Sequence, residues 1–398
     1  MKRLYVALII LGTVINVNCQ RNAIQERLEK KEFPSIFQAW NPIDMKEVPL
    51  ATPEQRLAAG AKHDILWEEP VSQLGYGVDL VLGTIWDNRY QGLADDFTPE
   101  TKNNALANRR KLLEINPDMI LLMEIRWKDA PGSYLPEDSE WWMRDGNGER
   151  KTGWTGGPEP YYYLDYRNPS FGENVRKQAA VAVASGIYDG VMLDWWGSHG
   201  ESDPVCIEFL KKIREAVGSE GIIIVNNDRI SPLPVSAPYI NGAFMEMKYD
   251  THHTPEGWEK VADDLVWFEQ NLRKPVMNCL NIQAGDMQEM MSGLAVSLIF
   301  SNGSYLFGRD DNSNPAPDHL HHWFSAYDIR LGRPSGNAIE GSDGLYTRKF
   351  ENGVVVYNPW GNGERMIRFT GIMKQSGTGK PATEFALEDR NGYIFINE

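Results

Sequence analysis

Cysteine is scarce, with 3 in 398 residues, and one of these, Cys19, ends an N-terminal apolar run. Cys206 lies on an apolar helical stripe and Cys279 in an apolar strand, so the sequence predicts two buried thiols and no cystine framework. Basic residues are in the minority too. With 40 Lys and Arg against 55 Asp and Glu, the formal charge is −15 and no basic stripe stands out. That excludes nucleic acid as a natural partner. After the N-terminal run no segment resembles a membrane span. No Gly-rich phosphate turn follows the first strand, which weighs against the rival fold, a doubly wound open sheet. There is no internal repeat, and the only low-complexity stretch is the short "SGTGKPAT" turn.

What is present at the N-terminus reads as an export signal. Lys2 and Arg3 precede "LYVALIILGTVINV" and then "VNCQ", a charged n-region, an apolar h-region and a cleavage site. The expectation is a signal peptide over 1–19 and a secreted or periplasmic protein. A lipid anchor on Cys19 is the rival, disfavoured by Asn16-Val17-Asn18. Cleavage would remove two basic residues and no acid, moving the net charge from −15 to −17.

From about residue 33 to 332, short apolar runs alternate with amphipathic stretches. Strand candidates centre near 36, 65, 120, 191, 223, 244, 277 and 305. Between them lie helical patterns such as "TPETKNNALANRRKLLEIN" and the stripe Trp258, Val261, Leu265, Phe268, Leu272. Ser170 and Glu173 have the spacing of a capping box. Runs apolar on both faces with helical crossovers predict parallel strands, and eight such units predict a (β/α)8 TIM barrel over 20–337. "VDLVLGTIW" could be a ninth strand or part of a decorated loop. After Gly332 the texture changes to period two with Asn-Gly turns, predicting a small antiparallel, β-sandwich-like domain over 338–398.

Reactive groups in such barrels sit where strands end. The polar residues at those ends are Trp40-Asn41, Glu68-Glu69, Glu124 with Arg126-Trp127, Asp194-Trp195-Trp196 and Asn226-Asn227-Asp228. Then come Glu246 and Lys248, Asn278 with Asn281 and Gln283, and Tyr305. With 13 Trp and 16 Tyr in the chain, this is a ring of carboxylates, amides and indoles suited to a hydroxyl-rich ligand. Cleaving a sugar bond needs two carboxyl groups in different protonation states. Asp194 and Glu246 are the pair, each following an apolar strand that opens with a Gly turn (Asp189-Gly190, Asn241-Gly242). Expected substrate contacts are Trp40, Glu124, Trp127, Asp165, Trp195, Trp196, Asn226, Lys248, Asn278 and Tyr305.

The stretch "YYLDYRNPSFGENVRKQAAVAVASGIYDGVMLDWW" resembles a segment of (β/α)8 glycoside hydrolases in which one motif opens a helix and "DG..LD" forms strand four. "LYTRKFENGVVVYNP" is similar to the start of their C-terminal β domain. The likeness is to poorly characterised glycosyl-hydrolase-like families, distantly akin to α-amylase and α-galactosidase barrels. It implies that Asp194 is the nucleophile. Strand five presents Asn226-Asn227-Asp228 where α-amylases have a Glu, which shifts the acid/base to Glu246, with Glu124 in reserve.

Other readings stay open. Asp165 suits a turn before Asn168-Pro169, Asp189 a tight turn, and Trp195 and Trp196 packing under loops, with at least one of them expected in the cleft. Trp141-Trp142 are hard to bury together and offer a further sugar platform. His252-His253 and His319, His321 and His322 look like metal ligands but lack a matching spacing. The expected activity is a metal-independent, cofactor-free glycosidase acting on a polysaccharide or oligosaccharide, as a monomer or weak oligomer. The alternatives are a carbohydrate-binding barrel without catalysis and, more weakly, a metal-dependent hydrolase.

Overall fold

The apolar runs form eight parallel strands: β1 (Phe37–Gln38), β2 (Ile65–Glu68), β3 (Ile120–Glu124), β4 (Gly190–Leu193), β5 (Ile222–Asn226), β6 (Gly242–Met247), β7 (Cys279–Ile282) and β8 (Ser304–Arg309). Each pairs in parallel with the next, and a parallel bridge between Ile36 and Tyr305 closes the barrel. This computed structural model describes residues 24–40, 52–70, 80–156, 159–227, 232–247, 253–283, 285–309, 319–377 and 379–398. The expectations placed on 1–19, Asn41, Asp228, Lys248 and His252 lie outside the described residues. So does part of "VDLVLGTIW". Over 80–98 the chain forms no strand, only a 3-10 turn at Gln91–Leu93 and one bridge between Trp86 and Phe97.

Among the described residues, six helices of eight residues or more serve the crossovers: α1 (Pro53–Gly60), α2 (Pro99–Ile115), α3 (Pro169–Ala184), α4 (Pro204–Val217), α5 (Pro255–Asn271) and α6 (Met287–Phe300). All but α6 begin with proline, which loses nothing by lacking an N–H in the first turn. Asp203 and Thr254 cap α4 and α5 by accepting the N–H of Val205 and Gly257. At α3 the cap is Asn168, which accepts from Ser170 N. The Ser170/Glu173 capping box is therefore corrected: the cap and the helix start lie two residues earlier, at Asn168 and Pro169, and Glu173 pairs with Arg176 at 2.6 Å. Cys206 and Cys279 are free and buried. Among the described residues no helix is long and apolar enough to cross a membrane.

A repeated device organises the bottom of the barrel. Asp64, Asp189, Asn241 and Asn278 each stand just before a strand, and each accepts a backbone N–H from the neighbouring strand: Ile36, Leu121, Ile223 and Ala243. Asp189 is further held by Arg27 and Arg109, both at 2.6 Å. Burial alone would raise its carboxyl; the two guanidiniums hold it below the usual range. Gly190 and Gly242 follow two of these residues for a steric reason. A Cβ on either would lie 2.0 Å from a carbonyl oxygen of the adjacent chain, Ile222 or Met277. The strands can approach this closely only without side chains there.

Inside the barrel Phe37, Trp67 and Phe244 pack with ring centroids 5.2–5.7 Å apart. This aromatic plug closes the interior beneath the upper rim. Beyond the barrel a six-stranded antiparallel sheet runs in the order β9 (Ile339–Glu340), β10 (Tyr346–Phe350), β11 (Gly353–Asn358), β14 (Asn391–Asn397), β12 (Arg365–Gln375), β13 (Pro381–Leu387). It has a small core of its own around Val356, Leu387 and Phe395. It also grips α6: Arg348 donates to the carbonyls of Leu298 and Ser301 near the helix's C-terminal end, at 2.9 and 2.7 Å.

Candidate active site

Asp194 follows β4 directly, Asn226 ends β5, and Glu246 lies one residue before the end of β6. The parallel register therefore brings all three to the carboxyl rim. One amide joins them. Asn226 Nδ2 donates to Asp194 Oδ1 at 2.8 Å and to Glu246 Oε2 at 3.0 Å. A shared donor keeps the two nearest carboxylate oxygens within about 6 Å of one another, which accommodates the roughly 5–5.5 Å of a retaining pair. Glu246 Oε1 accepts from Gln283 Nε2 at 2.7 Å, and His319 Nε2 lies 3.7 Å away. Both carboxyls are only partly buried, so a ligand at the barrel mouth can reach them.

Burial pushes the Asp194 carboxyl up to about 7, aided by Glu246 and opposed by Arg126 and the Asn226 hydrogen bond. Next to it Glu124 is fully enclosed. Burial lifts it well above the usual carboxylate range, and Glu69 and Asp194 add to this against the pull of Arg126. Glu124 accepts from the Trp40 indole N–H and lies 3.2 Å from Arg126, which in turn donates to Glu69 at 2.8 Å. The sequence-predicted contacts Trp40, Glu124 and Asn226 thus belong to one connected network with the acid pair. Glu124, with 2% of its surface exposed, supports Trp40 from beneath.

The indoles divide by role. Trp127 and Trp196 are buried and packed together at 5.1 Å; Trp127 donates to the Asp194 carbonyl at 2.6 Å and Trp196 to Ser236 Oγ at 2.9 Å. They fix the end of β4 and present no face to a ligand, a correction to their expected role as sugar contacts. Trp195 is the partly exposed member of the pair, turned outward by a left-handed backbone at φ 54°. Trp40 (φ 53°) and His319 (φ 55°) share this conformation, uncommon for non-glycine residues, and stack on one another at 4.7 Å. Three such residues around one rim is where backbone strain serves a function. Of Trp141 and Trp142, the second is buried and donates to Pro136 O, while the first rests on Phe171 and donates to Ser170 Oγ.

Three expectations fall away from the rim. Asn278 precedes β7 and belongs to the bottom-face device; it donates to Glu269 at 3.1 Å. Tyr305 is buried under α6, its hydroxyl donating to Met290 O at 2.9 Å. Asp165 accepts from Arg167 N at 3.2 Å and shapes the turn before α3. Gln283, named in the strand-end ring but not among the expected contacts, and His319, read only as a metal-ligand candidate, contact or approach Glu246 instead. Gln283 stands at the correct end of its strand, whereas His319 is read only from space.

Among the described residues, the histidines 319–322 face different partners. His319 faces Asn281 and Glu246, and His321 meets His63 at 3.0 Å. His253 pairs with Glu289 at 2.7 Å. Among the described residues, His199, Asp203 and Cys206 bring ligand-type atoms within 4.8 Å. His199 is engaged by Tyr166 and Asp203 by Arg167, and burial pushes the Cys206 thiol up to about 12, so it stays protonated.

These features define a (β/α)8 barrel with an acidic, aromatic rim and a C-terminal antiparallel sheet. Solved structures of similar fold include an α-amylase from Lactobacillus plantarum (TM-score 0.59, 12% identity, covering 94% of this chain and 99% of that one). A maltogenic α-amylase from Thermotoga neapolitana gives 0.55 at 14% identity over 91% and 96%. A trehalulose synthase from Pseudomonas mesoacidophila gives 0.53 at 12% over 91% and 98%. At such identity the likeness is one of fold. Residues 200–354 match the model of hypothetical glycosyl hydrolase family 15, a span that includes Asn226, Glu246, Gln283 and His319 but begins after Asp194. No curated protein matches the sequence.

Proposed function

We propose that the protein is a secreted or periplasmic glycoside hydrolase that cleaves O-glycosidic bonds of a polysaccharide or oligosaccharide with Asp194 and Glu246, without a metal. The observation that carries the reading is the Asn226 amide bonded to both carboxyls at the mouth of the barrel. The match of residues 200–354 to a glycosyl hydrolase model supports it.

In this reading Asp194 attacks the anomeric carbon while Glu246 gives its proton to the departing glycosidic oxygen. The carbon–oxygen bond breaks as the Asp194 ester forms. Glu246 then takes a proton from water, the hydroxide attacks the same carbon, and Asp194 leaves as carboxylate. The pair must therefore hold one proton in total. With Asp194 pushed up to about 7, the resting pair holds its last proton up to about neutrality. Asn226 keeps both groups in place as the charge shifts between them, and the partly exposed Trp195 offers a face to the sugar.

A barrel that binds sugar without cleaving it is the second reading, favoured by an amide rather than a carboxylate at the end of β5. A screen of polysaccharides with product analysis separates the two. Release of new reducing ends by the wild type, lost in both Asp194→Asn and Glu246→Gln, supports hydrolysis; binding with no product from the wild type supports the alternative.

A further inference from the structure

A cavity of about 570 Å³, which the mechanism above does not use, opens between Lys128, Lys151, Tyr163 and His199. Its wall includes Lys128, Arg150 and Lys151, against a single acid, Asp145. In a chain of formal charge −15 such an excess of cations is unusual. None of the three pairs with a carboxylate within 4 Å among the described residues, while Asp145 is occupied closing its own turn by accepting from Asn147 N and Glu149 N. Arg150 is stacked on Tyr162 at 3.9 Å, and its Nη1 is buried with no hydrogen-bond partner among the described residues. The guanidinium also lies 5.4 Å over the Trp142 ring, so Arg150 stands on the cavity wall as a fixed cation.

The cavity adjoins the reacting centre through Lys128. This residue follows Trp127, whose indole holds the Asp194 carbonyl. Its ammonium lies 5.5 Å over the Trp195 ring and 3.5 Å from the Trp195 carbonyl. Tyr166 and His199, hydrogen-bonded at 2.9 Å, add polar atoms to the same wall. Lys128 thus links the cavity to Trp195, the residue that follows Asp194.

We propose that this cavity is a subsite for a sugar residue bearing an anionic substituent, a carboxylate or a sulfate ester, adjoining the residue that is cleaved. The inference rests on the hydrolase reading of Asp194 and Glu246 and narrows its substrate to acidic glycans. The full chain with Asp194→Asn, which binds without turnover, is titrated calorimetrically at low salt with a galacturonic acid trimer, a sulfated galactose trimer and a neutral galactose trimer. At least one anionic trimer should bind about five- to tenfold more tightly than the neutral one, as expected for a few partly exposed charge pairs. That advantage should shrink in high salt and in Lys151→Gln, whose side chain is exposed, and shrink further when Lys128→Gln is added, which leaves only Arg150. The trimer that binds identifies the anion. If neither anionic trimer outbinds the neutral one, or if the advantage is undiminished in the double variant, the subsite does not exist. Cleavage of neutral glycans by the wild type without anionic preference removes the subsite and leaves the hydrolase reading; anionic preference with no cleavage of any glycan does the reverse.

Discussion

Replacing Asp194 by Asn keeps the shape of the side chain and an oxygen for Asn226 to bond, but removes its titration. In the folded protein burial pushes this carboxyl from 3.8 up to about 7. At 1.36 kcal/mol per tenfold in proton affinity, that difference is worth about 4 kcal/mol. The folded value lies above the unfolded one, so the folded protein binds the proton more tightly. The resulting stabilisation is complete below about pH 4 and is lost progressively until about pH 7. Between pH 5 and 8 the wild type should lose up to about 3 kcal/mol through this group alone. Asp194 meets water at the rim, so screening reduces the expected swing to about 1–3 kcal/mol. Urea unfolding of both proteins at pH 5 and pH 8 measures it: the Asn variant should gain on the wild type as pH rises. A difference that is the same at both pH values, or that moves the other way, refutes the electrostatic account of the site.

Further expectations follow from the same geometry. The kcat/KM of the wild type should fall as pH rises through about 7, because the pair loses the one proton the chemistry requires; a profile flat from pH 6 to 9 contradicts this. Asn226→Ala removes the donor common to both carboxyls and should lower kcat by about 10²-fold with little change in unfolding midpoint. Trp196→Ala empties a fully buried site and should cost about 3–5 kcal/mol of stability, whereas Trp195→Ala should leave stability nearly unchanged and weaken substrate binding. Activity should survive EDTA; loss restored by zinc would redirect attention to the histidines.

The barrel was legible because parallel strands buried on both faces leave continuous apolar runs, and all eight lie where those runs do. Asp194, Asn226 and Glu246 were legible because strand ends follow from strand positions. Asn278 was misplaced for a specific reason: a strand four residues long has polar residues at both ends, and only register tells bottom from top. Gln283, five residues on, is the one that reaches the rim. Tyr305 points out under α6, an orientation that a both-face apolar run does not encode. Nor did the doublet Trp195-Trp196 reveal which indole is buried, since that depends on the left-handed turn at Trp195. His319 approaches Glu246 across 73 positions of sequence, and no local pattern signals such a meeting. The cap of α3 moved from Ser170 to Asn168 because Pro169 fixes the helix start more strongly than a distant Glu favours a capping box.

The most direct test is release of reducing ends from a panel of neutral and acidic polysaccharides by the wild type, by Asp194→Asn and by Glu246→Gln, each confirmed folded by circular dichroism. The account predicts cleavage of at least one glycan by the wild type and a loss of at least about 10³-fold in each folded variant. Undiminished cleavage in either folded variant would contradict it.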